Sequence, residues 1–541
     1  MFPLDQTVSS CLFGSALSLL CAPLAAQTHL ILDANPGSAG SSTNAIAVLG
    51  ERAIFAAIDA SGTTLYSSDG TAGGTTVVLA AGTISAPAEI VTAGDRVFFP
   101  AGTSATGLEL WSSDGTTAGT GLVKDIRPGP FGSNPRALAE VDGVLYFAAA
   151  EAGANYELWR SDGTDSGTWL VKEIHTTPGT GSNPAGFTRL GTTGSFLFAA
   201  TDATSGRELW ISDGTAAGTS LVADIVPGPG GVASSNPLFL VAFGDLVAFA
   251  KADELWLSDG TAAGTHSLLT CSPRQLAVQG GKLFFQGYDA AHGNELWVSD
   301  GTTAGTHLLL DIYVGGVPAW GSFPFVLTPI GSRWVFFSAF DAFGEELWRT
   351  DGAVTEMVQD VNVGSASSSP QANGYPATHL LNSRFAVTAA GKMFFVANDG
   401  MHGLEPFVFD TGLLAESTPF GIGCGGLSLT ASLPYMGSMV DLTTTGVPAT
   451  TALSVNLLSL TGYDPPIDVS FLDMPGCHLH CGLDIMTVLF GTGTVVHTLD
   501  VADDPTWFGL EIFSQTFSFV PGINPFGAIG SNGVKLVVGD L

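Results

Sequence analysis

The sequence predicts an all-β protein, an eight-bladed β-propeller followed by a small β-sandwich. The first observation is that the tract Glu-Leu-Trp-x-Ser-Asp-Gly-Thr-x-x-Gly-Thr recurs about every 48 residues, a period typical of propellers. The second is that each repeat contains short apolar and aromatic runs separated by Asp-Gly turns, which are hairpin signals. The third is composition: 70 of the 541 residues are Gly and only 12% are charged. Many short strands with Gly-rich turns are typical of all-β folds.

Eight copies of the tract can be aligned on its aspartate. Five are complete, and those near Asp69, Asp351 and Asp410 are weaker. The complete copies are Glu109–Thr116, Glu157–Thr164, Glu208–Thr215, Glu254–Thr261 and Glu295–Thr302. Eight copies favour eight blades; the alternative is a seven-bladed ring with one divergent unit.

Each repeat is expected to contain four strands, here named a to d in chain order. In the clearest copy these are Leu122–Ile126, Ala137–Val141, Val144–Ala149 and Tyr156–Arg160. Strand c is almost wholly apolar in every copy, as in Leu145-Tyr146-Phe147, so we expect both of its faces to be buried. Blades stacked face to face provide that burial.

The N-terminal strand is expected to close the ring. If Ser-Asp-Gly-Thr is the turn from strand d to strand a, the eighth repeat lacks its own fourth strand. The strand His29–Asp33 would supply it, which removes the exposed edges of the sheet. The propeller is thus predicted over residues 28–412. Pairing of His29–Asp33 with residues 405–410 decides between eight and seven blades.

The tryptophan of the tract is predicted to pack between blades. It recurs in strand d, with Tyr66 and Phe407 in the same position of the weaker copies. A sugar-stacking platform is the alternative, but a ligand site is not needed once in every repeat. The recurring positions are Trp111, Trp159, Trp210, Trp256, Trp297 and Trp348.

The aspartate of the tract is predicted to form an Asx turn, in which its carboxylate accepts backbone N–H groups and the threonine hydroxyl assists. Ca²⁺ coordination is the alternative. One aspartate per turn is too few for an ion that takes six to eight oxygen ligands.

Antiparallel alternation places the a–b and c–d loops on one face of the propeller, called here the loop face. Its loops are the longer and more variable ones, so it is the predicted binding surface. Ca²⁺, or a cationic or polyhydroxylated partner, would suit its carboxylates; the alternative is that they only cap turns. No other cofactor is predicted. The predicted binding residues are Asp59, Asp125, Asp202, Asp224, Asp289, Asp311, Asp341 and Asp399.

The N-terminus indicates export, and the net charge limits the kinds of partner. Residues 1–26 are predicted to be a signal peptide, because an apolar stretch over residues 11–26 ends in Leu24-Ala25-Ala26. The first ten residues lack the usual Lys or Arg. A net charge of −32 disfavours nucleic acid and anionic membranes as partners, and no later stretch is apolar enough to span a membrane.

The pattern changes after the propeller. Residues 413–426 are predicted to be a linker, and residues 427–541 a β-sandwich of short alternating strands. In an oxidising compartment disulfides are expected, and Cys424–Cys477 is the favoured pairing. Cys271 is expected to be a buried thiol. A Zn²⁺ site in Cys477-His478-Leu479-His480-Cys481 is the alternative to a disulfide-bonded strand.

The repeats resemble those of the bacterial ELWxxDGT-repeat proteins, over about residues 60–415 and most specifically at the five complete copies. That resemblance implies a secreted, propeller-like protein and carries no catalytic residue. The segments Met474-Pro475-Gly476-Cys477 and Asn524-Pro525-Phe526-Gly527 look like a C-terminal module of planctomycete secreted proteins. There the module implies surface attachment or sorting.

The predicted function is a secreted, non-enzymatic protein that binds an extracellular ligand, glycan or protein, or acts at the cell surface through the loop face. The alternative is an extracellular polysaccharide hydrolase or lyase on a propeller scaffold. In that case His292 and His402, both in c–d loops, are the candidate acid–base residues. A third option is a purely structural array or adhesin component. The sequence contains no nucleophile elbow, zinc-protease motif or phosphate loop.

Overall fold

The structure is a computed structural model, and the described part of it consists of strands. The all-β propeller prediction is confirmed: the described residues form eight four-stranded sheets in addition to a five-stranded, a three-stranded and a two-stranded sheet. The description covers residues 28–537 except 37–39, 42, 44, 60, 229–232, 315–320, 332, 342–343, 360, 363–366, 371–383, 390, 411–415, 421–423, 425, 432–438, 452, 461, 469–477, 482–484, 490–491, 501–510 and 521–527.

Each four-stranded sheet is one blade, and its strands lie in the order b, c, d, a. Blade 1 is β2 (Ala45–Leu49), β3 (Arg52–Asp59), β4 (Gly62–Ser68) and β5 (Thr76–Leu79). Blade 2 is β6 (Val91–Ala93), β7 (Arg96–Thr103), β8 (Gly107–Ser113) and β9 (Gly121–Lys124). Blade 3 is β10 (Arg136–Val141), β11 (Val144–Ala150), β12 (Tyr156–Ser161) and β13 (Trp169–Lys172). Blade 4 is β14 (Ala185–Leu190), β15 (Ser195–Asp202), β16 (Gly206–Ser212) and β17 (Ser220–Ala223).

The second half of the ring repeats this order. Blade 5 is β18 (Leu238–Phe243), β19 (Leu246–Lys251), β20 (Glu254–Ser258) and β21 (His266–Thr270). Blade 6 is β22 (Arg274–Gln279), β23 (Lys282–Asp289), β24 (Gly293–Ser299) and β25 (His307–Leu310). Blade 7 is β26 (Phe325–Ile330), β27 (Trp334–Asp341), β28 (Gly344–Thr350) and β29 (Thr355–Gln359). Blade 8 is β30 (Ala386–Val387), β31 (Lys392–Asn398), β32 (Leu404–Asp410) and β1 (Thr28–Leu30).

Strand b lies at the centre of the ring. The b strands of successive blades contact one another from β2 through β26, and β2 also contacts β30 of blade 8. Strand a is therefore on the outside. Because neighbouring strands are antiparallel, the a–b and c–d loops share the loop face, and the b–c and d–a turns share the opposite face.

The predicted closure of the ring is present. Strand β1 pairs with β32, with Thr28 opposite Phe409 and Leu30 opposite Phe407. The Ile31 amide adds a hydrogen bond to the Pro406 carbonyl at 3.0 Å. The N-terminal strand thus supplies the outer strand of the blade whose other strands come from the C-terminal end of the repeats, and it covers the edge of β32.

Aromatic pairs in the same register hold the blades together. In all eight blades a strand c phenylalanine without solvent exposure lies opposite the aromatic residue of strand d. Apolar clusters then join one blade to the next, as where Leu110 and Val123 pack with Phe147 and Trp159. The predicted inter-blade position of the indoles is confirmed. The buried phenylalanines are Phe55, Phe99, Phe147, Phe198, Phe249, Phe285, Phe337 and Phe395.

The C-terminal strands form two sheets that share an apolar core. One has the order β33 (Glu416–Phe420), β42 (Ala528–Val537), β41 (Glu511–Phe519), β36 (Leu453–Ser459), β39 (Ile485–Leu489). The other is β34 (Ser428–Ala431), β35 (Met439–Val447), β40 (Gly493–Asp500), and a separate pair is β37 (Gly462–Asp468) with β38 (His478–Cys481). Leu429, Leu442, Ile512 and Val534 from the two larger sheets pack in one cluster, as in a β-sandwich.

One segment of the predicted linker has a different structure. Residues Glu416–Phe420 pair with β42 along its length, from Glu416 opposite Val537 to Phe420 opposite Gly533. The sequence did not indicate this strand because Pro419 lies within it and a Gly-rich segment follows it. Its pairing is with a strand more than one hundred residues later.

Candidate functional site

The Ser-Asp-Gly-Thr turns lie on the face opposite the loop face, and their side chains make hydrogen bonds within the turn. In blade 3, Asp162 Oδ1 accepts the Thr164 amide at 2.9 Å and the Thr164 hydroxyl at 2.7 Å. That hydroxyl oxygen accepts the Gly167 amide at 2.9 Å. A Cβ atom at Gly167 would lie 1.8 Å from the carboxylate, so only glycine fits. The predicted Asx turn is confirmed, and it accounts for the repeated residues.

The glutamate of the tract has a structural role that the sequence analysis missed. In blade 3, Glu157 is buried and accepts amides from Ile174, His175 and Ser182 at 2.8–3.3 Å. The Ser182 hydroxyl also donates to it at 2.6 Å. The carboxylate therefore fastens strand d to the a–b loop that leads to the next blade. Its recurrence in nearly every copy was the available signal.

Blade 5 is the exception and supplies a natural comparison. Cys271 replaces the loop serine, and its carbonyl accepts the Tyr288 amide as the serine carbonyl does elsewhere. Glu254 is not buried against the loop; it pairs with Lys251 at 2.9 Å and accepts the Trp256 indole N–H at 3.0 Å. The thiol of Cys271 is buried as predicted, and burial raises its pKa to about 12.

Predicted binding residues at the ends of strand c cap their own loops. Asp202 Oδ1 accepts the amides of Thr204 and Ser205 at 2.8 and 2.6 Å. Asp289 and Asp399 accept loop amides in the same way. These residues follow the turn-capping alternative, although Asp289 and Asp399 also contact a histidine. Asp341 ends its strand at the same place, and the side chain of Asp59 lies outside the described part.

Predicted binding residues at the ends of strand a are spread around the ring. Asp125, Asp224 and Asp311 follow β9, β17 and β25, so each belongs to a different blade. The Oδ1 atom of Asp125 is buried without a hydrogen-bond partner in the described part. Asp224 is exposed. The eight predicted aspartates do not converge on one point, because a propeller distributes equivalent residues around its axis.

Two histidine–aspartate pairs stand out on the loop face. His402 Nδ1 lies 2.7 Å from Asp399 Oδ2, and His292 Nδ1 lies 2.9 Å from Asp289 Oδ2. In each pair the hydrogen bond to the carboxylate raises the pKa of the histidine. Both imidazoles are partly exposed, at 33% for His402 and 39% for His292. They are the two acid–base candidates that the sequence named.

Each pair lies near a glutamate, and the two pairs differ in how that glutamate is hydrogen-bonded. Glu295, near His292, is buried and accepts three amides and the Ser322 hydroxyl. Glu405, near His402, receives hydrogen bonds from the Ala34 amide at 3.3 Å, from the Asn35 amide and from Ser41, while its Oε1 atom is buried without a close partner among the described residues. The nearby Asp33 also has a buried oxygen without a partner there.

These contacts give Glu405 an unusual protonation equilibrium. Burial, together with a smaller contribution from the charge of Asp33, raises the pKa of Glu405 to about 7 against the hydrogen bonds from Ser41 and the Ala34 and Asn35 amides. The charges of Asp33 and Glu405 in turn help to raise the pKa of His402. Asp33, Asp399, His402 and Glu405 are called here the closing-blade cluster. Within it a buried glutamate with a pKa of about 7 lies near a partly exposed histidine whose pKa is raised.

The remaining predicted sites are only partly described. No group of three or more His, Cys, Asp or Glu side chains in the described part is arranged to hold a metal ion. Cys424 is disulfide-bonded, while its predicted partner Cys477 lies outside the described residues. Nor does that described part contain a helix of the length and apolarity that a membrane crossing requires.

Comparison with known families and proteins gives no match at the level of sequence. No family model matches the chain. A search of curated proteins likewise finds no match.

Solved structures show similarity of fold. A prolyl endopeptidase matches at 15% identity with a TM-score of 0.42, over 58% of this chain and 50% of its own. A puromycin hydrolase matches at 12% identity with a TM-score of 0.38, over 66% of this chain and 58% of its own. The β-propeller domain of the Trilobed protease from Pyrococcus furiosus matches at 12% identity with a TM-score of 0.35, over 59% of this chain and 98% of its own. The chain thus spans little more than half of the first two proteins.

These similarities contradict the prediction of a non-enzymatic binding or surface protein, because the three neighbours just given are named as hydrolytic enzymes or a domain of one. That prediction took the lack of catalytic motifs in the propeller as a sign that the protein is not an enzyme. A fold alone does not support such an inference. At such low identity and TM-score the likeness concerns the fold alone. Any activity of this chain has to be argued from its own residues.

Proposed function

We propose that the chain is a hydrolase that uses general acid–base catalysis at the closing-blade cluster. The observation that carries this proposal is the His402–Asp399 pair, in which Nδ1 lies 2.7 Å from Oδ2 and the imidazole is partly exposed to solvent. It lies near the buried Glu405, whose pKa is about 7. A carboxylate that fixes one nitrogen of an imidazole leaves the other nitrogen free to exchange a proton with a substrate.

The roles in the cluster follow from exposure. His402 is the residue that can touch a substrate, because Glu405 has no solvent exposure. Asp399 orients the imidazole and also accepts the amides of Met401 and His402, which fixes the loop. The hydrogen bond to Asp399 is the main cause of the raised His402 pKa, and the charges of the positioning residues Asp33 and Glu405 add to it.

The chemistry assigned to His402 is to accept one proton from water and to donate one proton to the leaving group. As a base, the imidazole takes a proton from a water molecule while the water oxygen bonds to the electrophilic carbon. As an acid, it returns that proton to the leaving group when the bond to that group breaks. One water is consumed, and no oxidant or further cofactor is required.

The test is hydrolysis by the purified full chain and its variants. Labelled peptide pools are tested first and labelled polysaccharides second. This order follows only the names of the structural neighbours. Removing a general acid–base residue lowers rates by about 10²- to 10⁴-fold. We expect a loss of this size for His402→Ala, and retained activity for the matched variant His292→Ala.

Two results would overturn the proposal. One is that no substrate is hydrolysed by the wild-type chain at any pH between about 5 and 9, where an imidazole changes its charge. The other is that His402→Ala and His292→Ala have equal activity. Asp399→Asn distinguishes a catalytic pair from a structural one, because it should change the pH profile as well as the rate.

We also propose that the chain is exported and related to the ELWxxDGT-repeat proteins. The apolar stretch over residues 11–26 supports export, and the recurring tract supports the relationship. N-terminal sequencing of the mature protein from its natural source should begin at Gln27. A mature protein that still begins at Met1 would refute cleavage of a signal peptide.

A further inference from the structure

Two arginines meet on the loop face, far along the ring from the closing-blade cluster. Arg136 begins β10, the inner strand of blade 3, and Arg207 lies at the start of β16 in blade 4. Asn183 joins them: Arg207 Nη1 donates to its backbone oxygen at 2.6 Å, and Arg136 Nη2 donates to its side-chain oxygen. The chain has only 17 Lys and Arg against 49 Asp and Glu. Two guanidinium groups on one residue are therefore unexpected.

Neither arginine has an acidic partner in the described part. Other arginines of the chain do: Arg189 pairs with Asp142 at 3.0 Å, and Arg333 pairs with Asp351 at 2.9 Å. Glu89, at the start of the neighbouring inner strand, accepts the Leu138 amide at 3.2 Å instead.

Both guanidinium groups are partly removed from solvent, which lowers their pKa values. Burial, and to a smaller extent the charge of Arg136, lowers the pKa of Arg207 to about 10. Burial likewise lowers the pKa of Arg136. Yet Arg207 is only half-buried and Arg136 is exposed, so both groups remain within reach of a ligand. Unpaired charge that is partly desolvated is costly, and an anion placed between the groups removes that cost.

The geometry leaves donors free for such an anion. A guanidinium group has five N–H donors, and each of these arginines uses one of its donors on Asn183. The Arg136 guanidinium carbon lies 3.5 Å from the centre of the Tyr156 ring, which fixes the plane of the group. Planar guanidinium groups bind the paired oxygens of carboxylates and phosphates.

We propose that Arg136 and Arg207 form a binding site for an oxyanion, a carboxylate or phosphate group of a ligand that docks on the loop face between blades 3 and 4. Tyr156 and Asn183 hold the two guanidinium groups in place. The site depends on no residue of the closing-blade cluster and stands whether or not the chain is a hydrolase.

The experiment is calorimetric titration of the full chain with inorganic phosphate and, separately, with succinate. Arg207→Gln should weaken saturable binding by about ten- to a hundredfold, the range for a hydrogen-bonded charge pair. Arg189→Gln is the matched control, because it removes one arginine whose partner is Asp142. The ligand that binds more tightly identifies phosphate or carboxylate as the natural group.

Two further measurements make the outcome decisive if Arg207→Gln folds poorly. Arg136→Lys keeps the charge but loses the planar group. Despite the retained charge, this variant should bind the anion several-fold more weakly than the wild type does. The melting temperature of the wild-type chain should rise with phosphate or succinate more than with chloride at equal ionic strength. Absence of saturable binding of both anions, or equal binding by the Arg207→Gln and Arg189→Gln variants, would overturn the proposal.

Discussion

The buried glutamate of the repeat tract makes a quantitative prediction about stability. Glu157→Gln replaces one carboxylate oxygen by an NH₂ group of the same size. Each of the two oxygens accepts two hydrogen bonds, so two donors would face another donor. The Ser182 hydroxyl can turn away, but a backbone amide cannot. At least one buried amide therefore loses its acceptor, and the remaining bonds are made to a neutral group.

The size of the effect follows from these bonds. A hydrogen bond to a charged group contributes about 1.5–3 kcal/mol, and an unsatisfied buried donor costs a similar amount. Allowing for the rotation of the hydroxyl, we expect Glu157→Gln to lower the free energy of unfolding by about 2–4 kcal/mol. Glu254→Gln alters a partly exposed pair with Lys251 and should cost less than about 1 kcal/mol.

Urea unfolding followed by tryptophan fluorescence and circular dichroism measures this difference directly. The two variants carry the same substitution at equivalent positions of blades 3 and 5, so effects of composition cancel. Equal midpoints for Glu157→Gln and Glu254→Gln would refute the view that the buried carboxylates fasten strand d to the loop of the next blade.

Three further predictions concern other parts of the chain. Because burial raises the pKa of Glu405 from its ordinary 4.5 to about 7, stability contributed by its protonated form is lost as pH rises between these values. Urea midpoints should fall across this range, less steeply in Glu405→Gln; an unchanged slope contradicts the assignment. Cys271, with a pKa of about 12, should react with a thiol reagent at about pH 8 only after unfolding, and rapid reaction of the folded chain would show that the thiol is accessible. Asp162→Ala should cost about 0.5–1.5 kcal/mol through its turn, whereas Asp165→Ala, at an exposed position, should cost little. An equal loss in both would argue against the Asx turn.

Much of the fold could be predicted from the sequence because each repeat shows the same local signals. The apolar strand c predicted the buried phenylalanines, and Asp-Gly-Thr predicted turns whose hydrogen bonds join residues two or three apart, such as Asp162 and Thr164. The closure by β1 followed from counting strands. These features depend on local chemistry and on repetition, which a single sequence displays.

The features that matter for function depend on contacts between distant residues. Glu405 meets the Ala34 amide across the closure of the ring, a separation of 371 residues, and its pKa depends on the burial and the Asp33 charge that it meets there. Arg136 and Arg207 meet because adjacent blades bring them to Asn183. His402 was a candidate from its place in a c–d loop, but only the neighbouring carboxyl groups distinguish it from His292.

The proposal that the closing-blade cluster works by acid–base chemistry depends most on the protonation of Glu405. Difference infrared spectroscopy of the wild type and Glu405→Gln, recorded as pH is varied, measures it directly. We predict a buried carboxyl signal that titrates near pH 7 in the wild type and is missing from the variant. If both proteins give the same titration through neutral pH, Glu405 is ionised like an ordinary glutamate, and the assignment of an acid–base centre to this blade is contradicted.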